Sequence, residues 1–261
     1  MASLDTVPAN FEVGVPARAT ARFLLRHWAW LLPLALLLLL APQLAFRWLV
    51  AYPPVAGLIP KVFLTGSTIT AVIQVLVVTP PSSILTILII RQAARDLDAV
   101  PSEGLRPIPS MAPAVIVAQI MVNVASVVAG VFFVIPGILV WTAWFLVAPV
   151  IVLENGSPIW SLGRSANLTR DQRWPIFVLV LILNLAWIPL VLAAYVAVLA
   201  FEPFLLSTIG ASFGEPRIEL PVALSGACSD LVSAVAAAVL YFELLRLKSG
   251  LGGKAVAAVF D

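Results

Sequence analysis

Four polar residues stand isolated inside long apolar runs: Gln74, Asn123, Asn184 and Asp230. Each falls near the middle of a stretch long enough to cross a bilayer, so the four share a depth. An ionised carboxylate at the bilayer centre costs about 2.5–3.5 kcal/mol on insertion scales, so Asp230 must face protein or water, carry a proton, or both. Ala223, Ala227, Ala234 and Ala237 on its helix are small and let another helix come close. Two chemistries fit this pattern. One is a polar site for a proton or a polar solute; the plainer one is interhelical hydrogen bonding, worth about 1 kcal/mol per contact.

Glu154 and Glu243 form a second group, each near a predicted helix C-terminus, where the helix dipole disfavours a carboxylate. Arg164 or Arg173 for Glu154, and Arg246 one turn beyond Glu243, are the expected counter-charges, which makes these residues structural ion pairs. A third group is basic. Arg18, Arg22 and Arg26 recur every four residues on one helical face, and Arg164, Arg170 and Arg173 lie between Trp160 and Trp174. Guanidinium pairs phosphate as readily as carboxylate, so these six are candidate contacts for lipid headgroups or membrane partners as well as topological anchors. Catalysis has little to work with: no Gly-rich phosphate loop, GxSxG or HExxH occurs. The single His27 and the single Cys228 assemble neither a metal site nor an intramolecular disulfide. Glu154 and Glu243 could in principle do acid–base work, but nothing in their spacing selects for it. No catalytic residue, metal or cofactor is assigned.

Composition dictates what must position these residues. With 62% hydrophobic and 11% charged residues and a mean hydropathy of +1.08, the 261-residue chain reads as a polytopic membrane protein. Its pI near 9.0 therefore follows the rule for membrane loops and implies no nucleic acid. Residues 1–15 read as a cytoplasmic tail, 16–250 as one membrane domain and 251–261 as a second tail; six spans fall at about 28–50, 62–90, 111–134, 138–153, 174–200 and 220–247. The first run is no signal peptide, because Arg47 and Trp48 follow it in place of a small-residue cleavage site. Arg18 to Arg26 would form a basic helix on the membrane surface ahead of it. Pro80-Pro81 should bend the second span and Pro189 kink the fifth.

The stretch from Ile135 to Trp174 carries the clearest punctuation. Pro136-Gly137 is the only turn chemistry between spans three and four and predicts their hairpin. Glu154, Asn155 and Gly156 end span four, with Gly156 placed for the left-handed turn. Ser157 as N-cap and Pro158 then open a helix through Ile159, Leu162, Ala166 and Thr169, with Arg164, Asn167 and Arg170 on its polar side. That helix is too polar to span and is expected in the headgroup layer. The Pro-Gly pair, the span ending in VLE, the run RSANLT, the basic-Trp pair and the terminal YFELLRLKSG resemble one family. It is the membrane domain found beside glycerophosphodiester phosphodiesterases, shared by many six-span bacterial proteins without a catalytic domain. The likeness covers Met111 to Gly250, with Glu154, Arg164, Ser165 and Trp174 in a recognisable order, and the sequence given carries no phosphodiesterase domain. The resemblance implies a membrane fold and little about activity.

All but Arg47, Lys61 and Arg217 of the fifteen Lys and Arg residues fall on one side of this topology, which the positive-inside rule makes the cytoplasm, with both termini. The fold class expected is an all-α integral membrane protein, six transmembrane helices in three hairpins with amphipathic interfacial helices, in a bacterial inner membrane. The first functional reading is a non-catalytic protein that binds lipid headgroups or membrane partners and supports envelope organisation. Its partners would be membrane lipids, other membrane proteins or a second copy of the chain. The alternative is a transporter or channel built on the polar layer around Asp230.

Overall fold

The computed structural model describes residues 12–51, 68–96, 106–132, 134–186, 188–209 and 216–249, and within them every regular element is helical. In chain order these are α1 (Gly14–Ala35), a π-helical turn (Leu36–Leu40), α2 (Ala41–Ala51), α3 (Thr68–Asp96), α4 (Ile108–Phe132) and α5 (Val134–Ala143). They continue with α6 (Val147–Glu154), α7 (Pro158–Thr169), α8 (Arg173–Leu185), α9 (Ile188–Ile209) and α10 (Pro216–Ser249). Five helical segments among the described residues are long and apolar enough to cross a membrane: Gly14–Phe46, Val75–Asp96, Ile108–Ser126, Ile135–Glu154 and Leu220–Lys248. The chain is thus an all-α membrane protein.

The last helix is its hub. At 34 residues α10 is about 51 Å long, enough to cross the apolar core and emerge on one side. It packs against α1, the π turn, α2, α3, α6, α7, α8 and α9. Residues 234–239 explain this reach: four alanines and two valines, all buried, present so little bulk that several helices approach the same segment.

Four expectations need correcting in their detail. Pro136-Gly137 is not the hairpin turn; both residues lie in the first turn of α5, where a proline costs no hydrogen bond. The basic surface helix is not separate, because nothing between Arg18 and Leu31 breaks a helix, and α1 runs from Gly14 into the first span as one rod. In the fifth span Pro189 does not kink a continuous helix: α8 ends at Leu185 and a new helix begins at Ile188 with Pro189 in its first turn. The left-handed residue ending α6 is Asn155 (φ 55°). Gly156 serves close approach instead, since a Cβ there would run into the Trp160 ring and sit 2.6 Å from Ser161 Oγ. By contrast, α3 continues through both Pro80 and Pro81.

Span four departs furthest from a simple rod. The helix stops at Ala143 and restarts at Val147, two residues before Pro149, whose ring would crowd the Phe145 carbonyl in an unbroken helix. The break leaves backbone groups without helical partners, and α7 supplies them. Ser165 Oγ donates to the Ala143 carbonyl at 2.9 Å and accepts from Leu146 N–H at 3.2 Å, while Thr169 Oγ1 donates to the same carbonyl at 3.1 Å. Accordingly α7 turns its hydroxyls inward against the broken span, while Trp160, Asn167 and Arg170 on its other side are exposed. Ser161, Ser165 and Thr169 are fully buried, and Ile159, placed on the apolar line by the sequence pattern, is 76% exposed. Leu162 and Thr169 of that line are buried as expected, and Ser161 and Ser165 share the inner face with them and with Leu168.

Replacing Ser165 by Ala strands the Leu146 amide and should cost about 1–3 kcal/mol. In detergent this reads as a lowered unfolding midpoint. Ser161→Ala is the matched control, because the Ser161 hydroxyl is buried without a partner and its loss should leave the midpoint nearly unchanged. Equal effects would show that the break does not depend on Ser165.

Candidate functional site

The broken span and the hub helix meet around a cavity of about 220 Å³. Leu39 reaches it from the π turn, Ser82, Leu85 and Thr86 from α3, and Gln119, Val122 and Asn123 from α4. Trp141, Trp144, Phe145, Val147 and Ala148 come from the break, and Ser229, Asp230, Ser233, Ala234 and Ala237 from α10. Helical period explains each set: Gln119 and Asn123 are four apart, as are Ser229, Ser233 and Ala237, so one face of each helix fronts the chamber. The lining carries one carboxylate, Asp230, and no Lys, Arg or His.

Asp230 lies within the span of α10 yet is exposed, because it fronts the chamber. Its carboxylate accepts a long hydrogen bond from Gln43 Nε2 at 3.4 Å. Gln43 is held close by Gly226, where a Cβ would stand 2.6 Å from Gln43 Oε1. Of the other three mid-depth residues, Asn123 lines the same chamber, and its amide points to Thr79 Oγ1 at 3.5 Å. Asn184 stands behind the wall, donating to the Val180 carbonyl and accepting from Ser229 Oγ at 2.6 Å. The side chain of Gln74 lies outside the described residues.

The charged residues expected at helix ends form a separate layer. Arg164 Nε reaches both oxygens of Glu154 at 3.2 and 3.0 Å, and Tyr241 donates to Glu154 Oε1 at 2.9 Å, so one carboxylate joins α6, α7 and α10. Glu243 meets Arg246 at 3.6 Å. Lys248 donates to the Asn167 carbonyl at 2.7 Å, a second tie between α10 and α7. Arg170 is exposed, and Arg173 Nε is buried without a hydrogen-bond partner. On α1, Arg18 folds back onto the Gly14 carbonyl, and Arg22 and Arg26 are exposed with no ion pair to a described residue.

Several residues of consequence escaped the sequence reading. His27 Nε2 lies 2.7 Å from Asp96 Oδ2, and Trp30 Nε1 donates to His27 Nδ1 at 3.1 Å. With Nδ1 accepting, the ring proton belongs on Nε2, which donates to Asp96 and ties α1 to α3. Gln43, Gln119, Ser229 and Ser233 line or support the chamber. Gln119 carried a signal, its four-residue spacing from Asn123, and Ser229 and Ser233 lie one and three residues from Asp230; Gln43 carried none. Trp141 and Trp144 carried none, since aromatic residues in an apolar span ordinarily mark packing or an interface.

No family model, curated protein or solved structure matches the chain.

Gly226→Ala should drive Gln43 away from Asp230 and destabilise the fold by about 1–3 kcal/mol through overpacking. Adding Gln43→Ala removes the clash, so the double variant should regain most of that loss in detergent unfolding. A double variant no more stable than Gly226→Ala would break the link between the two positions.

Proposed function

We propose that this chain is a non-catalytic membrane protein that binds a small polar solute in the chamber around Asp230 and passes it across the bilayer. The observation that carries this reading is the meeting, inside the spans, of a 220 Å³ cavity, a lone carboxylate and a broken helix. Ionisable residues at this depth mark solute or proton paths, and interrupted helices are the means by which membrane proteins bring irregular backbone to a binding site. Interhelical bonding alone would close the polar side chains on one another. Here Asp230, Asn123 and Ser229 each have an interhelical partner and still border the cavity, and Ser233 borders it as well. Six spans in three hairpins, with α8 and α9 together forming the fifth and both termini in the cytoplasm of a bacterial inner membrane, belong to the same proposal. Kinship with the phosphodiesterase-associated membrane domain is part of it too, but Glu154, Arg164 and Ser165 serve the scaffold around the break, so the kinship bears on fold rather than on solute.

A test uses the single cysteine. In a Cys228→Ser background, Ser233→Cys should react with membrane-impermeant methanethiosulfonates, while Ala236→Cys, at a fully buried position, should not. Modification of S233C from both faces supports passage; modification from one face leaves a binding site without passage. No modification from either face removes the chamber reading.

Lipid binding is supported by its own observation: Arg22 and Arg26 are exposed and unpaired among the described residues, beside Leu25 at 76% and Trp28 at 64% exposure. This is the composition of a helix entering the anionic headgroup layer. Glu in place of both arginines should reduce co-purified anionic lipid severalfold by mass spectrometry without changing S233C labelling; equal lipid recovery would remove this role.

A further inference from the structure

We infer that the solute is a small organic cation of the ammonium class, a step that rests on the chamber being a solute site. Charge argues first. Among the described residues Asp230 is the only ionisable side chain on the lining, so an anion would meet a carboxylate with no described cation on the lining to offset it, and a neutral ligand would leave that carboxylate without a counter-charge there.

The aromatic wall narrows the class. Trp141, Trp144 and Phe145 line the cavity that holds Asp230, with the Trp141 and Phe145 rings 5.0 Å apart and tilted by 62°. Rings of this kind attract an organic cation through their quadrupoles, most strongly where water is scarce. A hard divalent ion is a poor fit, since it takes six or more oxygen ligands with several carboxylates. No group of three His, Cys, Asp or Glu that could hold a metal occurs among the described residues. The remaining polar lining, Gln119, Asn123, Ser229 and Ser233, offers amide and hydroxyl oxygens to N–H or O–H groups on the ligand.

Size sets the upper limit. An apolar cavity of about 150 Å³ accepts benzene. At 220 Å³ the chamber therefore suits a ligand of roughly nine non-hydrogen atoms.

The experiment compares charge at constant shape on the full chain in lipid nanodiscs, by calorimetry against protein-free discs. Choline and tetraethylammonium are the cationic probes, 3,3-dimethylbutan-1-ol is the uncharged isostere of choline, and 3,3-dimethylbutanoate is the anion. Both cations should bind at least tenfold more tightly than the alcohol and the carboxylate. Asp230→Asn should erase that preference, and Trp144→Leu should weaken the cations severalfold while leaving the alcohol unchanged. Equal or tighter binding of the alcohol or the carboxylate by the unsubstituted protein overturns the cation class and leaves the solute site standing. Failure of both cations to bind while S233C is still labelled overturns the cation class alone. If no probe binds and S233C is unlabelled, the solute-site reading falls and this inference with it.

Discussion

A helix interrupted inside a membrane domain must have its freed backbone groups satisfied by protein, because hydrocarbon offers no partners. Most of this structure can be understood from that requirement. The helix is interrupted just ahead of Pro149, whose ring disfavours the Phe145 carbonyl position of a continuous helix, and the Ala143 carbonyl and Leu146 amide then need hydrogen bonds. Ser165 and Thr169 provide them from α7, whose hydroxyl face must therefore pack directly against the break. Seating α7 against the break brings the partly exposed Arg164 beside a carboxylate. Glu154, at the C-terminal end of α6 where its charge would otherwise be disfavoured, receives both Arg164 and the Tyr241 hydroxyl. Interactions at the clamp and at the break thus support each other, and neither has an evident purpose without the other.

The break also decides what the chamber is made of. Trp144 and Phe145 lie in the three residues where the helix is interrupted, and Trp141 lies one turn earlier. All three line the cavity. Opposite them, Asp230 stands with Ser229 and Ser233 on a helix that packs tightly elsewhere along its length. Side chains that would be unremarkable packing in a straight hairpin become the apolar wall of a polar chamber. The link from a proline to a possible ligand class therefore passes through backbone hydrogen bonding, not through any single catalytic group.

Much of the fold was legible because membrane insertion writes itself into composition. Long apolar runs, the Ser157-Pro158 helix start and the approximate helix positions could all be read from period and capping chemistry. Where the reading went astray, a small residue had two compatible roles. Pro136 could end a hairpin or start a helix, and Gly156 could take the left-handed turn or leave room for a neighbour. Local chemistry is the same in each pair, and only the neighbouring helix distinguishes them. The chamber was half legible: Asp230 and Asn123 stood out as polar residues in apolar runs. Trp141 and Trp144 did not, because in a span an aromatic side chain signals nothing until its neighbours withdraw from it.

The alanines around Asp230 illustrate how one property yields opposite outcomes along a single helix. Small residues on α10 were expected to let a partner helix close against the carboxylate. Ala223 and Ala227 are buried by neighbours, in keeping with that effect, and residues 234–239 form the crowded centre of the bundle. Yet Ala234 and Ala237 also front the cavity with Asp230 and Ser233. There, the facing chain is the broken span, whose backbone is held by α7 and cannot move in to fill the space. Smallness on one helix becomes close packing or a chamber according to whether the opposing backbone is free to approach. At Asp230 it is not, and the carboxylate keeps access to a cavity instead of being sealed into a helix interface.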